Sequence, residues 1–152
     1  MLADEALRIV HDAPEQTSPK LFCAARSVSF PVDSPQMRAL VKELPGGAAA
    51  ADGTVTTQMN LVNLGDAQIL TIPGEALPNI GFYLKRKMRG KHNLLFGLTN
   101  DAFGYILTKE DYNSFKRYDY ISRTSLGERT GEILVAEALK FINACPRPET
   151  LK

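Results

Sequence analysis

The sequence predicts an α/β protein: a layered, mixed sheet flanked by helices, in a single domain over residues 1–152. Two observations carry this. Helical spacing and short apolar strand-like runs alternate through much of the chain. Two of those runs also give way to polar loops of the kind that ligand sites favour beyond strand ends. Apolar residues at 44% and charged residues at 23% argue against a disordered or fibrous chain. A length of 152 residues is enough for one real core.

The elements follow in order. Leu2, Ala6, Ile9 and Val10 recur at helical spacing with no capping residue ahead of them, so the chain reads as beginning inside a helix, as a truncated chain would. Residues 14–19 form a Pro-bounded loop, and "LFCAARSVSF" reads as a strand over 21–30 that Pro31 ends. Ser34 followed by Pro35 is an N-cap with proline in the first turn, opening a short helix through Met37, Leu40 and Val41. "PGGAAAADG", residues 45–53, closes it as a link. Over 54–64, Val55, Met59 and Leu61 alternate with Thr56, Gln58 and Asn60, the period-two pattern of a strand with one wet face. Gly65-Asp66 then turns the chain into "AQILTI".

In "TIPGEALPNIGFYLKRK" the strand stops at Pro73-Gly74 and hands over Glu75 just ahead of a helix. Pro78 belongs in that helix's first turn, and Leu77, Ile80, Leu84 and Met88 form its apolar stripe. Cations from Lys85 to Lys91 gather at its end, where they suit the helix dipole, and Gly90 stops it. A buried strand is expected at 93–99, then a loop that turns aromatic before a brief helical turn, and a largely covered last helix over 126–143 with Glu137, Lys140 and Asn143 as its polar stripe.

A formal charge of +1 supplies no global field to draw the chain onto nucleic acid. Cys23 and Cys145 sit in no metal or redox spacing and read as packing or surface thiols. No run reaches the ~18 apolar residues of a membrane span, and Asp4 and Glu5 stand where a signal peptide would carry positive charge. The expectation is a soluble chain with no signal peptide of its own, and compartment is not legible. Neither a GxSxG elbow, nor a phosphate-binding glycine loop, nor HExxH occurs.

Two loops remain as candidates for chemistry. Glu75 is either a helix-end stabiliser or one arm of a metal site. Asn100, Asp101 and Tyr105 follow the 93–99 run, and would share a crevice with Glu75 if the two strands are parallel neighbours. Tyr105 can equally be a core aromatic and Asn100-Asp101 a plain turn. The basic run 85–92 can grip an anionic surface or simply face solvent, and His11 and His92 read as surface residues.

Three ordered segments, "TIPGEALPNIGFYLKRK", "GLTNDAFGYILTKEDY" and "RYDYISRTSLGERTGEIL", resemble the closing part of the catalytic domain of neutral (non-lysosomal) ceramidases and their bacterial relatives. The resemblance runs well over residues 54–143 and loosely over 2–32. It implies an incomplete part of a larger catalytic domain: a zinc-dependent amidase that cleaves the N-acyl bond of ceramide or a related N-acyl lipid. In that family two His, one Glu and one Tyr bind zinc and a serine is the nucleophile. The glutamate of "PGE" falls on Glu75. The ligand tyrosine of a "GxxNxxxxY" arrangement falls on Tyr105, with Gly97 and Asn100 in place. A further tyrosine that holds the reacting amide maps to Tyr120 when "SLG" is aligned without a gap, or to Tyr118 when "RYD" is matched to the family's "RYE"; Tyr120 is preferred.

The histidine ligands and the serine belong to an N-terminal part that this sequence does not contain, and neither His11 nor His92 falls at a ligand position. The immunoglobulin-like domain that ends longer ceramidases is missing too. The expected partners are therefore an N-acyl lipid substrate, a complementary N-terminal half, and a second copy through an apolar face left uncovered. The competing expectation is a non-catalytic module that binds a protein partner or an anionic lipid surface through Lys85 to Lys91.

Overall fold

The computed structural model describes residues 1–43 and 52–149, so residues 45–51 of the expected link lie outside the described residues. In chain order the elements are α1 (Leu2–Asp12), β1 (Leu21–Pro31), α2 (Pro35–Glu43), β2 (Thr54–Leu64), β3 (Ala67–Thr71), β4 (Glu75–Ala76), α3 (Pro78–Lys87), β5 (His92–Phe96), β6 (Tyr105–Ile106), a 3-10 turn (Lys116–Tyr118), α4 (Asp119–Arg123) and α5 (Thr130–Ala144). The main sheet runs β1-β2-β3-β5, and β4 pairs with β6 in a second, two-stranded ribbon.

β1 and β2 are antiparallel over eleven residues, from Leu21↔Leu64 to Pro31↔Thr54. The Gly65-Asp66 turn reverses β2 into β3, with Leu64 opposite Ala67 and Gly65 at φ 57°. β3 is followed by α3 and then by β5 in parallel, Ile69 beside Leu94 and Thr71 beside Phe96. The sheet is thus mixed, as the alternation of elements predicts, and the two loops of interest leave the same ends of neighbouring parallel strands.

One sheet face is covered. Phe30, Met59, Leu61, Leu70 and Ile72 pack with Ile80 and Leu84 of α3 and with Leu134, Ala138, Phe141 and Ile142 of α5, all buried. Side chains alternate across a strand, so the residues between these point the other way. On that other face Leu21, Cys23 and Ala25 of β1, Leu64 of β2, and Leu94 and Phe96 of β5 are exposed. α1 has no buried residue at all.

Three expectations need adjusting. The 93–99 run is not a buried strand: it pairs only from His92 to Phe96, and as an edge strand it packs one face alone. The strand ends because the chain curls away, with Leu98 at φ 50°. The last helix starts at Thr130 rather than 126, because the Leu126 carbonyl accepts the amides of Asp33 (2.8 Å) and Ser34 (3.0 Å) and is held in a buried turn. The basic run is not wholly solvated either. Arg89 turns inward, its guanidinium donating to the carbonyls of Ile142 and Cys145 at the end of α5 while its amide donates to Gln68 (2.9 Å).

Candidate functional site

Beyond the ends of β3 and β5 the chain builds a compact crossing of three loops. Ile72 donates to the Phe96 carbonyl (2.8 Å) and Thr99 donates back to Ile72 (3.2 Å), which carries the parallel pairing one step past the strands. Pro73 and Gly74 then accept from Phe103 (2.8 Å) and Leu98 (3.2 Å), so the "PG" of "PGE" is clasped from both sides. Glu75 donates to the Gly104 carbonyl (2.9 Å) and Leu77 to Ile106 (3.0 Å), forming the β4–β6 ribbon.

Glycine is required here for space. A Cβ on Gly74 would sit 2.5 Å from the Gly104 carbonyl oxygen. Gly104 itself has φ 77°, a left-handed conformation that side chains disfavour, and a Cβ there would meet the Thr124 carbonyl oxygen at 1.9 Å.

The ribbon sets Glu75 and Tyr105 opposite one another as Cα partners in a parallel pair. Residues paired in this way project from the same side of the ribbon, so the carboxylate and the phenol leave one surface together. Glu75 is exposed and Tyr105 half-buried. α3 begins at Pro78 with no side-chain cap, so the Glu75 carboxylate is not engaged in capping that helix. Tyr105 is fastened from its other flank, its amide donating to the Thr124 carbonyl (3.2 Å) just past α4.

That fastening draws α4 in. The Tyr120 ring meets the Tyr105 ring edge-on, with centroids 6.0 Å apart and planes at 72°. Tyr118 faces elsewhere: its ring packs on Phe115 at 5.7 Å, and Arg117 lies over both rings. Glu75, Tyr105 and Tyr120 are therefore brought together, while Tyr118 is not part of the group.

The loop over 97–101 is stapled to β2. Asn100, at φ 72°, donates through Nδ2 to the Gln58 carbonyl (2.8 Å), and Asp101 accepts from the Thr57 hydroxyl. Between them lies an open polar groove of about 430 Å³ lined by Ser27, Thr56, Thr57, Gln58, Asn100 and Asp101. Of the β2 members of that lining, Thr56 and Gln58 were visible in the sequence only as part of the strand's wet face and the buried Thr57 not at all, with nothing to attach them to a remote loop.

The histidines stay apart. His92 opens β5 at the end opposite Glu75, and His11 lies exposed on α1 with Nδ1 3.0 Å from an Asp12 oxygen. Among the described residues no group of three or more His, Cys, Asp and Glu is arranged to hold a metal ion. Glu75 and Tyr105 are two oxygen donors on one surface, which fits half of the four-ligand set zinc prefers and not the whole of it.

This architecture, a mixed sheet with helices on one face and a crossed-loop site beyond its parallel strands, is a ceramidase-like fold. Among solved structures, the neutral ceramidase from Pseudomonas aeruginosa superposes with a TM-score of 0.57 at 15% sequence identity, over 97% of this chain and 32% of that one. A structure described as a ceramidase complexed with C2 aligns at TM-score 0.44 and 20% identity, over 65% of this chain and 17% of that one. The chain thus spans about a third of the length of the Pseudomonas enzyme. No protein-family model matches the sequence, and no curated protein matches it.

Proposed function

We propose that the chain is the C-terminal portion, folded as a single domain, of a ceramidase-type amide hydrolase, and that it supplies one half of a zinc site. The observation that carries this reading is the Glu75↔Tyr105 pairing, which sets two oxygen donors, thirty positions apart in sequence, side by side. Glu75 and Tyr105 would hold the metal together with two histidines from another part of the protein. When bound, zinc would act as a Lewis acid toward an amide carbonyl of an N-acyl lipid such as ceramide.

The chain's own residues have definite tasks in this scheme. Glu75 brings negative charge to the metal with no other described bond competing for its carboxylate. Tyr105 would bind as the phenolate, because metal ligation needs deprotonated ligands. Tyr120, 62% exposed beside Tyr105, would donate its hydroxyl to the substrate carbonyl and orient it. The nucleophile lies outside this chain.

Calorimetric zinc titration tests the assignment, using this chain alone, the chain mixed with a histidine-bearing N-terminal part of a ceramidase, and the same mixture carrying Glu75→Gln. The expected outcome is tight binding in the mixture only, lost in the variant. Equal binding by the variant, or robust amidase activity from the isolated chain, would overturn the half-site.

A further inference from the structure

We propose that two copies of this chain associate by laying α1 of each across the uncovered sheet face of the other. Both surfaces are apolar and both lack a partner among the described residues. On α1, Leu2, Ala6, Ile9 and Val10 lie along one side at helical spacing, with Leu7 at its margin; Leu2 is 90% exposed and Val10 75%. On the sheet, the register aligns Leu21, Leu64 and Ala67 in one row, Cys23, Val62, Ile69 and Leu94 in the next, and brings Phe96 beside Thr71 in the third.

Size and shape agree. An eleven-residue helix is about 16 Å long, and four strands at about 4.8 Å spacing make a platform of similar width. The exposed parts of Leu2, Leu7, Ile9 and Val10 with those of Leu21, Leu64, Leu94 and Phe96 offer on the order of 900 Å² per copy. A reciprocal exchange would therefore bury about 1,800 Å², inside the range that stable interfaces use. A single monomer patch is ordinarily about 300–600 Å².

Charge favours a protein partner over a bilayer. The polar side of α1 carries Asp4, Glu5 and Asp12 against Arg8 alone, whereas helices that lie in membrane interfaces carry Lys and Arg there.

The tether keeps α1 off its own sheet. Gln16 is fixed by its side-chain amide to Asp66 (2.8 Å), and the Lys20 carbonyl accepts from Gly65 (3.0 Å), both at the β2–β3 turn. Only residues 13–15 separate that anchor from α1, and Pro14 holds them extended, so the helix stands off the end of its own sheet.

Sedimentation velocity of the full chain over a concentration series tests this, with circular dichroism to confirm that each variant folds. A dimer is expected, and Val10→Asp on α1 and Leu94→Asp on β5 should each raise its dissociation constant by roughly 30-fold or more. Ile9→Cys should form an intermolecular disulfide with Cys23 on mild oxidation, abolished by Cys23→Ser. A monomer at every concentration would overturn the proposal. So would a dimer indifferent to Val10→Asp, which would place a sheet edge or sheet face against its counterpart, or an Ile9–Cys23 link that forms within one chain. Should Leu94→Asp disturb folding, the α1 variant and the disulfide still decide the matter, because α1 makes no buried contact of its own.

Discussion

At the scale of single residues, the site depends on what is absent from Gly74. Its backbone passes so close to the Gly104 carbonyl that one methyl group forces the two loops apart, and the Glu75–Tyr105 pairing lies immediately beyond. Gly74→Ala is expected to cost about 1–3 kcal/mol in urea unfolding, the usual cost of overpacking. It should also weaken any metal binding by the complete site, whereas Glu75→Gln should leave stability nearly unchanged because the side chain is exposed. A second residue sets part of the acid response. The hydrogen bond from Lys140 (2.6 Å) holds the Glu137 carboxyl below its usual range, against a smaller opposing effect of desolvation, and Arg26 at 3.0 Å adds to the lowering. A depressed folded value means that this contribution is fully present above the unfolded value of 4.5 and is lost as pH falls through the folded one. Comparing the pH dependence of stability for Glu137→Gln and the parent should therefore show a shallower decline below that value in the variant, and no difference in slope near neutrality.

At the scale of elements, the inward turn of Arg89 ties the end of α3 to the end of α5. A helix leaves its last four carbonyls without partners, and the guanidinium answers one of them, at Ile142, together with the carbonyl of the capping residue Cys145, with a cation where the dipole is negative. Arg89→Ala should lower stability by about 1.5–3 kcal/mol in denaturant titration, since it removes hydrogen bonds to a charged donor. Arg89→Lys should restore only part of that, because a point charge cannot serve two carbonyls as a planar fork does. Elements with their own periodicity were legible in the sequence. The alternation of Val55, Met59 and Leu61 gave β2 its bounds, and Pro78 with Ile80 and Leu84 gave α3 its start and buried face. Elements that exist only through tertiary pairing were not. β4 and β6 are two residues each, too short to carry a period, and they form because Gly74 and Gly104 let two remote backbones meet. The 126 boundary failed for the same reason: Leu126 has helical spacing, but its carbonyl is claimed by Asp33 and Ser34. Arg89 sits in a run of five cations with nothing local to mark it as the one that turns inward.

At the scale of the whole molecule, fold and site differ in how they are encoded. The mixed sheet rests on many positions, and its fold superposes on the Pseudomonas ceramidase at only 15% identity. The candidate site rests on a single step of register in a two-residue ribbon. That Glu75 and the 100–105 loop face one crevice was expected from two parallel neighbouring strands, and the β4–β6 pairing sets Glu75 opposite Tyr105; the placing of Tyr120 beside Tyr105 had no local signal, since it comes with α4 being drawn in by the Thr124 carbonyl. That ribbon has a further consequence for how the chain acquires its site. The segment between Glu75 and Tyr105 is a closed loop containing all of α3 and β5, and closing a loop of that length sacrifices chain entropy that a two-residue ladder cannot repay by itself. The donors can meet only after α3 has docked and β5 has zipped along β3, which makes their meeting a late event in folding. Any substrate contact or metal affinity traced to these residues is thus a report that the rest of the molecule has already assembled.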